Sequence, residues 1–143
     1  VLYRAALHDA DNTLPTWLQE VISSYVSVLN NCAYSLANHW ANARHLIGDD
    51  TRADAIAAAL QAHQPETAFD GAQLAALQYT EKLTLNPAEM AETDVAALRD
   101  TGWSDGEILE INQIVGYFNY VNRLLNGLGV TTDGDVVGYY KSE

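Results

Sequence analysis

The chain has 143 residues, 48% hydrophobic and 18% charged, a composition that fits one globular domain with a sizeable core and excludes a disordered chain. Nineteen acidic residues against seven lysines and arginines give a formal charge of −12, which makes nucleic acid and anionic membranes unsuitable partners. No apolar run approaches the roughly 18 residues of a membrane span. The single cysteine excludes a disulfide within one chain, and with a start that lacks a secretory pattern it predicts a cytoplasmic location.

Helix-forming residues dominate the chain, and alternating strand patterns are nearly missing, so the sequence predicts an all-α fold. Residues 1–12 form a short segment of mixed polarity. Pro15 then stands in a first turn, and the apolar spacing after it predicts a helix to about Leu29. Because asparagine is a good N-cap, Asn30-Asn31 predicts a break before a second helix, which runs from about Cys32 to Ile47.

Four further helices complete a compact domain of about six helices. They are predicted at about 51–62, 70–85 and 87–100, and from a capping box at 104–107 to the glycines at 127 and 129. Asn119 and Asn122 interrupt the apolar pattern of the last helix, so we expect them to be buried and hydrogen-bonded. No linker divides the chain. Residues 1–143 are therefore predicted to form one domain, with a core over about 13–130 and a polar C-terminal arm over 131–143.

Three chemically active side chains share one face of the second predicted helix. Cys32, Ser35 and His39 follow one another at intervals of three and four residues, so a thiol, a hydroxyl and an imidazole form one stripe. A cysteine in the first turn has its thiolate stabilised by free N–H groups, which predicts a lowered pKa for Cys32. The spacing also allows a hydrogen bond between Ser35 and His39. Glu20 joins this group only if the first two long helices fold back on each other.

The stretch from Glu20 through Cys32-Ala-Tyr-Ser35 to His39 resembles the Glu…Cys-x-x-Cys-x-x-x-His signature of the alkylhydroperoxidase D / carboxymuconolactone decarboxylase superfamily. The segments VSVLNNCAY and GWSDGEILEINQIVGYFNYVNRLLNGLGV resemble its peroxidase-related subgroup, and the two matches bracket about residues 13 to 130. The resemblance implies a helical homo-oligomer: a dimer, trimer or hexamer. It also implies an antioxidant thiol peroxidase that needs no cofactor and reduces a small hydroperoxide or other small substrate with an external thiol reductant.

Carried over position by position, the resemblance makes Glu20 and His39 a proton relay, Cys32 the first cysteine of the pair and Tyr34 a residue that lines the substrate site. Ser35 stands where the family has its second cysteine, the thiol nearest the histidine. Disulfide cycling within one chain is therefore excluded, and an oxidised Cys32 needs an outside thiol. The remaining histidines have no second ligand at metal spacing and predict no metal site: His8, His45 and His63.

Two alternatives stay open. The first is a decarboxylase-like reaction on a lactone acid, which needs no cysteine pair but requires arginines for the carboxylates; the candidates are Arg44, Arg99 and Arg123. The second is a catalytically degenerate, oligomeric ligand-binding protein. In that case Cys32 is a buried small apolar residue and His39 only a packing residue.

Overall fold

A computed structural model describes residues 1–140 of the chain, and within that range all regular structure is helical. The α-helices are α1 (Leu2–Leu7), α2 (Thr16–Leu29), α3 (Ala33–Ile47), α4 (Asp50–Gln61), α5 (Gly71–Leu85), α6 (Glu92–Asp100) and α7 (Asp105–Leu128). Short 3₁₀ turns at Pro65–Thr67 and Pro87–Glu89 precede α5 and α6. The predicted all-α class is confirmed. Among these helices, none combines the length and the apolar character needed to cross a membrane.

Helix α2 is the centre of the fold. Every residue from Leu18 to Leu29 is buried, because α2 packs against α3, α4, α5 and α7 on its different sides. Such burial is costly for polar side chains unless they form hydrogen bonds. The hydroxyl groups of Ser23, Ser24 and Ser27 meet this need by donating to the carbonyl oxygens four residues earlier in the helix. A helix buried on all sides can therefore carry polar groups into the core.

The corner between α2 and α3 positions the predicted site residues. Asn31 has a left-handed backbone (φ 50°), and the N–H groups of Asn31 and Cys32 donate to the carbonyls of Val28 and Ser27. This pattern is a Schellman motif that ends α2, with Asn31 where glycine is usual. The predicted break is correct, but its role differs from the prediction. Asn31 closes α2 rather than capping α3, and Cys32 is the N-cap residue of α3 instead of lying in its first turn.

Two other predicted segments differ in detail. Residues 1–12 contain the helix α1, and the helix predicted over 87–100 begins only at Glu92. The later start follows from the extended backbone of Met90 and Ala91 after the proline turn. The Asp94 carboxylate accepts a hydrogen bond from the Ala91 N–H at 2.8 Å and so fixes the new helix start.

The structure describes the polar arm predicted over 131–143 as far as residue 140, and the end of this described part contacts α3. We call residues 131–140 the C-terminal strap; positions 141–143 lie outside the described residues. The Gly138 N–H donates to Asn38 Oδ1 at 3.1 Å, and the Tyr139 N–H donates to Asn42 Oδ1 at 2.6 Å. The Tyr140 ring is stacked on His45, with 5.5 Å between ring centroids. The end of the strap therefore covers one side of α3.

Candidate functional site

Glu20 and His39 form a buried pair across the α2–α3 interface. His39 Nδ1 lies 2.7 Å from Glu20 Oε2, the Glu20 side chain is fully buried, and the His39 side chain is 14% exposed. A carboxylate bonded to Nδ1 fixes the ring orientation and the tautomer, which leaves Nε2 for proton exchange. The fold-back on which the sequence argument depended is thus present, and it brings the two residues into direct contact.

Aromatic rings enclose the exposed side of this pair. The His39 ring packs edge-to-face on Phe118 of α7 at 4.5 Å between centroids, and Tyr3 of α1 lies 6.2 Å away. The Tyr3 hydroxyl is 3.1 Å from His8 Nε2. Burial, and next the negative charge of Glu20, raise the pKa of Tyr3 above its ordinary value. The Tyr3 phenol is therefore a neutral, polar neighbour of the relay at physiological pH.

Asn42 extends the pair in the other direction. It is buried three residues after His39 on α3, and its Nδ2 donates to Glu20 Oε1 at 3.3 Å. Its Oδ1 accepts the Tyr139 N–H of the strap. The Asn42 side chain thus binds the second carboxylate oxygen of Glu20 and also holds the C-terminal strap against α3. The sequence analysis missed Asn42, although its spacing from His39 places it on the same helix face as the predicted stripe.

Ser35 belongs to a buried polar cluster rather than to the His39 pair. Its hydroxyl lies 2.8 Å from the Ser27 hydroxyl, and Asn122 Nδ2 donates to Ser27 Oγ at 3.4 Å. No hydrogen bond joins Ser35 to His39 among the described residues, so the contact that the spacing allowed is not formed. The expectation for Asn122 holds, because this side chain is fully buried and bonded beside the site.

The thiol pKa of Cys32 is raised, whereas the sequence predicted that it is lowered. The residue is 1% exposed, and its burial raises the thiol pKa above the ordinary value. A hydrogen bond from the Ser35 backbone N–H lowers it, but this effect is the smaller one. The sequence prediction failed because it considered the helix terminus alone and gave no weight to desolvation. At neutral pH, Cys32 needs a base or a cation nearby before it can react as a thiolate.

A cavity of about 230 Å³ lies beside Cys32, between the start of α3 and the end of α4. It is lined by Ser27, Val28, Asn31, Cys32, Ala33, Leu36, Gln61 and His63. Neither Glu20 nor His39 belongs to this lining, because His39 lies seven residues along α3, about 10 Å from Cys32. Ser27 connects the two regions: it lines the cavity and contacts Ser35, one turn before His39.

Tyr34 points away from this cavity. Its hydroxyl group is near Asp135 of the strap, whose carboxylate raises the pKa of the phenol. Tyr34 is also absent from the residues that line the Cys32 cavity. Its predicted role in lining the substrate site therefore has no support in the geometry.

The three arginines considered for a decarboxylase, and the asparagine Asn119 of α7, lie outside the Cys32 cavity. Arg44 pairs with Asp54 and Arg99 with Asp105 at the surface. Arg123 donates to Asn119, and Asn119 also forms hydrogen bonds with Asn30 and Thr84. None of these side chains lines the Cys32 cavity. Within residues 1–140, no group of three His, Cys, Asp or Glu side chains is placed to hold a metal ion.

No known family's sequence profile and no curated protein matches the chain, whereas solved structures do. A peroxidase-related protein from Silicibacter sp. TM1040 is 28% identical with a TM-score of 0.81; the match covers 91% of this chain and 65% of that one. A protein with an alkylhydroperoxidase AhpD core from Ralstonia eutropha JMP134 is 25% identical with a TM-score of 0.77, over 88% of this chain and 64% of that one. This chain thus spans slightly less than two thirds of either structure.

A third structure has the same fold and a different named activity. The debrominase Bmp8, solved in complex with 2,3,4-tribromopyrrole, is 19% identical with a TM-score of 0.74, and the match covers 91% of this chain and 66% of Bmp8. At that identity, the likeness concerns the fold alone. Because a fold does not determine a reaction, the reaction must be argued from the site residues.

Proposed function

Because the chain has the alkylhydroperoxidase D fold of the peroxidase-related proteins, we propose that it is a thiol-dependent peroxidase that works through the single cysteine Cys32. The observation that carries this proposal is the buried pair of Glu20 and His39, 2.7 Å apart, on the two helices that meet at Cys32. A fully buried carboxylate held against an imidazole is expensive to bury and is typical of a proton relay.

The buried serines are the groups through which we propose that the thiol proton reaches this relay. Ser27 lines the Cys32 cavity, its hydroxyl contacts that of Ser35, and Ser35 stands one turn before His39. Hydroxyl groups can accept and pass on a proton, so the serine pair covers part of the distance between the sulfur and the imidazole. The last step, from Ser35 to His39, requires a turn of the Ser35 side chain or a bridging water, because these two described side chains form no direct hydrogen bond. Glu20 then stabilises the imidazolium that results. This role gives a physical purpose to the polar cluster in the core.

The sulfur chemistry must run without an internal partner. The Cys32 thiolate attacks a hydroperoxide and becomes a sulfenic acid. A first external thiol condenses with it to a mixed disulfide and water, and a second thiol releases Cys32. The cavity of about 230 Å³ suits a small hydroperoxide and a small thiol. Such thiols are abundant in a reducing cytoplasm, the compartment that we propose for the protein.

Peroxide consumption with excess dithiothreitol tests this function. We expect turnover by the native chain, loss of turnover in Cys32→Ser, and a fall of about 10²-fold or more in His39→Gln, since general acid–base catalysis contributes on that order. Val136→Ala is the control, because Val136 is 84% exposed and lies outside the Cys32 cavity. Equal rates for the native chain and Cys32→Ser would refute the proposal.

The residues of the site give no support to the decarboxylase alternative. A di-acid substrate requires paired cationic donors, and the three candidate arginines lie outside the Cys32 cavity, two of them in surface salt bridges. The alternative of a degenerate ligand-binding protein predicts normal assembly and no change of activity when His39 is replaced. The buried, fully bonded carboxylate of Glu20 argues against it, because such a group costs stability that a purely structural core does not need.

A further inference from the structure

The Cys32 cavity contains a second imidazole, that of His63. Gln61, the last residue of α4, and His63, two residues later, line it together with Cys32. His63 also lines a second cavity of about 390 Å³ together with Glu66, Glu81 and Lys82. The Tyr25 ring meets it edge-on at 6.4 Å. His63 is therefore the residue that lines both cavities, and Cys32 in the first of them is 1% exposed.

The backbone at His63 shows that folding does not require a histidine there. Its φ of 56° is left-handed, and the N–H groups of His63 and Gln64 donate to the carbonyls of Leu60 and Ala59. This is again a Schellman motif, in which position 63 favours glycine and tolerates asparagine. Histidine in this position strains the backbone. Strained residues cluster at functional sites, because there the side chain is useful enough to retain.

We propose that His63 is the acid catalyst of the Cys32 cavity, a role that rests on the proposed peroxidase function. The His63 and Cys32 side chains line the same cavity, so a hydroperoxide bound in it can meet both. Glu66, Glu81, Lys82 and the phenol of Tyr25 are the titratable groups beside His63. The Glu20–His39 pair accepts the thiol proton on one side, and His63 supplies a proton on the other.

The chemical step balances with His63 as the donor. The Cys32 thiolate attacks the terminal oxygen of the hydroperoxide, the S–O bond forms and the O–O bond breaks. Sulfur is oxidised by two electrons and the peroxide is reduced. The departing alkoxide takes the proton from the His63 imidazolium and leaves as an alcohol, while Cys32 remains as the sulfenic acid. The same cation stabilises the thiolate before the attack.

Two substitutions separate this chemistry from folding. His63→Gly relieves the left-handed strain, and His63→Asn suits the same backbone with a polar side chain that transfers no proton near neutral pH. We expect both to keep the thermal unfolding midpoint of the native chain or to raise it. At neutral pH, both should lower the rate of Cys32 alkylation by iodoacetamide and of its oxidation by hydrogen peroxide by about fivefold or more. Added imidazole should restore much of the lost rate in His63→Gly, where it has space.

Alkylation and oxidation report on different claims. Alkylation and oxidation rates that both stay within about twofold of the native rates in the two variants would overturn the role of His63. Slower oxidation alone would support its role as an acid, because alkylation by iodoacetamide needs no proton donor. Slower alkylation together with rescue by imidazole would support it. If the native Cys32 is alkylated in a His63-dependent way but does not react with hydrogen peroxide, the peroxidase function has failed and the contact of His63 with the thiol stands. Slower rates accompanied by a lower unfolding midpoint in both variants would also contradict the proposal, because the backbone argument predicts retained stability.

Discussion

Ser35 is the residue that most alters the chemistry expected of this site. It is buried one turn after Cys32, and its hydroxyl lies against Ser27 rather than His39. Residues three apart at a helix start have Cα atoms close enough for a disulfide. The serine therefore removes a second thiol from a position where the backbone would allow one.

Replacing Ser35 by Cys is expected to restore an internal disulfide. One equivalent of peroxide should then remove two free thiols per chain, and dithiothreitol should recover both. Ser35→Ala is the matched control and should lose only the single thiol of Cys32. Mass spectrometry of the alkylated protein measures both. If Ser35→Cys gives a sulfenic acid but no disulfide, the corner between α2 and α3 holds the two side chains apart.

Cys32 gives a pH dependence of stability with a definite sign. Its pKa is raised in the folded state, so between the unfolded and folded values the unfolded chain binds fewer protons and stability falls as pH rises. The loss begins near the ordinary thiol pKa of about 8.5. Chemical denaturation at increasing pH should show this decline in the native chain and a weaker one in Cys32→Ala. An identical pH dependence in both would mean that the thiol is not desolvated.

At the scale of elements, the C-terminal strap packs on α3 because its backbone comes close to α3 at Gly138. A Cβ at this position would lie 3.0 Å from the Ala41 Cβ, and the backbone is left-handed with φ of 91°. Gly138→Ala should therefore lift the strap, with faster hydrogen exchange at the Tyr139 amide. Gly134→Ala is the matched control: its φ of 85° imposes a similar backbone penalty, but its Cβ meets nothing. Equal exchange in the two variants would contradict the docked strap.

Sequence periodicity predicted the helices well but not their ends or long-range contacts. The break at Asn30-Asn31 was predicted, yet either a cap for α3 or a left-handed end for α2 was consistent with asparagine. The pairing of Glu20 with His39 needed the family resemblance, because twelve residues and a corner separate Glu20 from Cys32. Asn42 and His63 were missed for different reasons. The spacing of Asn42 was visible but unused, whereas His63 joins Cys32 only through the packing of α4 on α3.

At the scale of the whole molecule, the expected oligomer remains a proposal. Helix α7 leaves several large apolar side chains exposed: Leu109, Tyr120, Leu124 and Leu128. One of them, Tyr120, also lines a groove of about 600 Å³ between α1 and α7. Contiguous apolar surface of this kind is typical of self-association. We therefore propose that α7 contributes to an interface between copies of the chain, although the acidic surface opposes close approach elsewhere.

Charge substitution on α7 tests this proposal. Leu124→Glu should shift the chain to a smaller species in analytical ultracentrifugation, because a buried carboxylate at an interface has no partner. Leu85→Glu is a matched control: Leu85 lies at the end of α5, and both leucines are 47% exposed. A monomeric native chain, or an equal effect of the two substitutions, would exclude the α7 interface.

The central claim, that Cys32 reduces a hydroperoxide with the aid of a buried proton relay, is tested most directly in a single turnover. The native chain is mixed with one equivalent of hydrogen peroxide, and the sulfenic acid at Cys32 is trapped with dimedone and measured by mass spectrometry. We predict that trapping is at least about tenfold faster in the folded chain than in the urea-unfolded chain, and that Glu20→Gln removes most of this advantage. Oxidation of the folded Cys32 no faster than that of the unfolded thiol would contradict the claim.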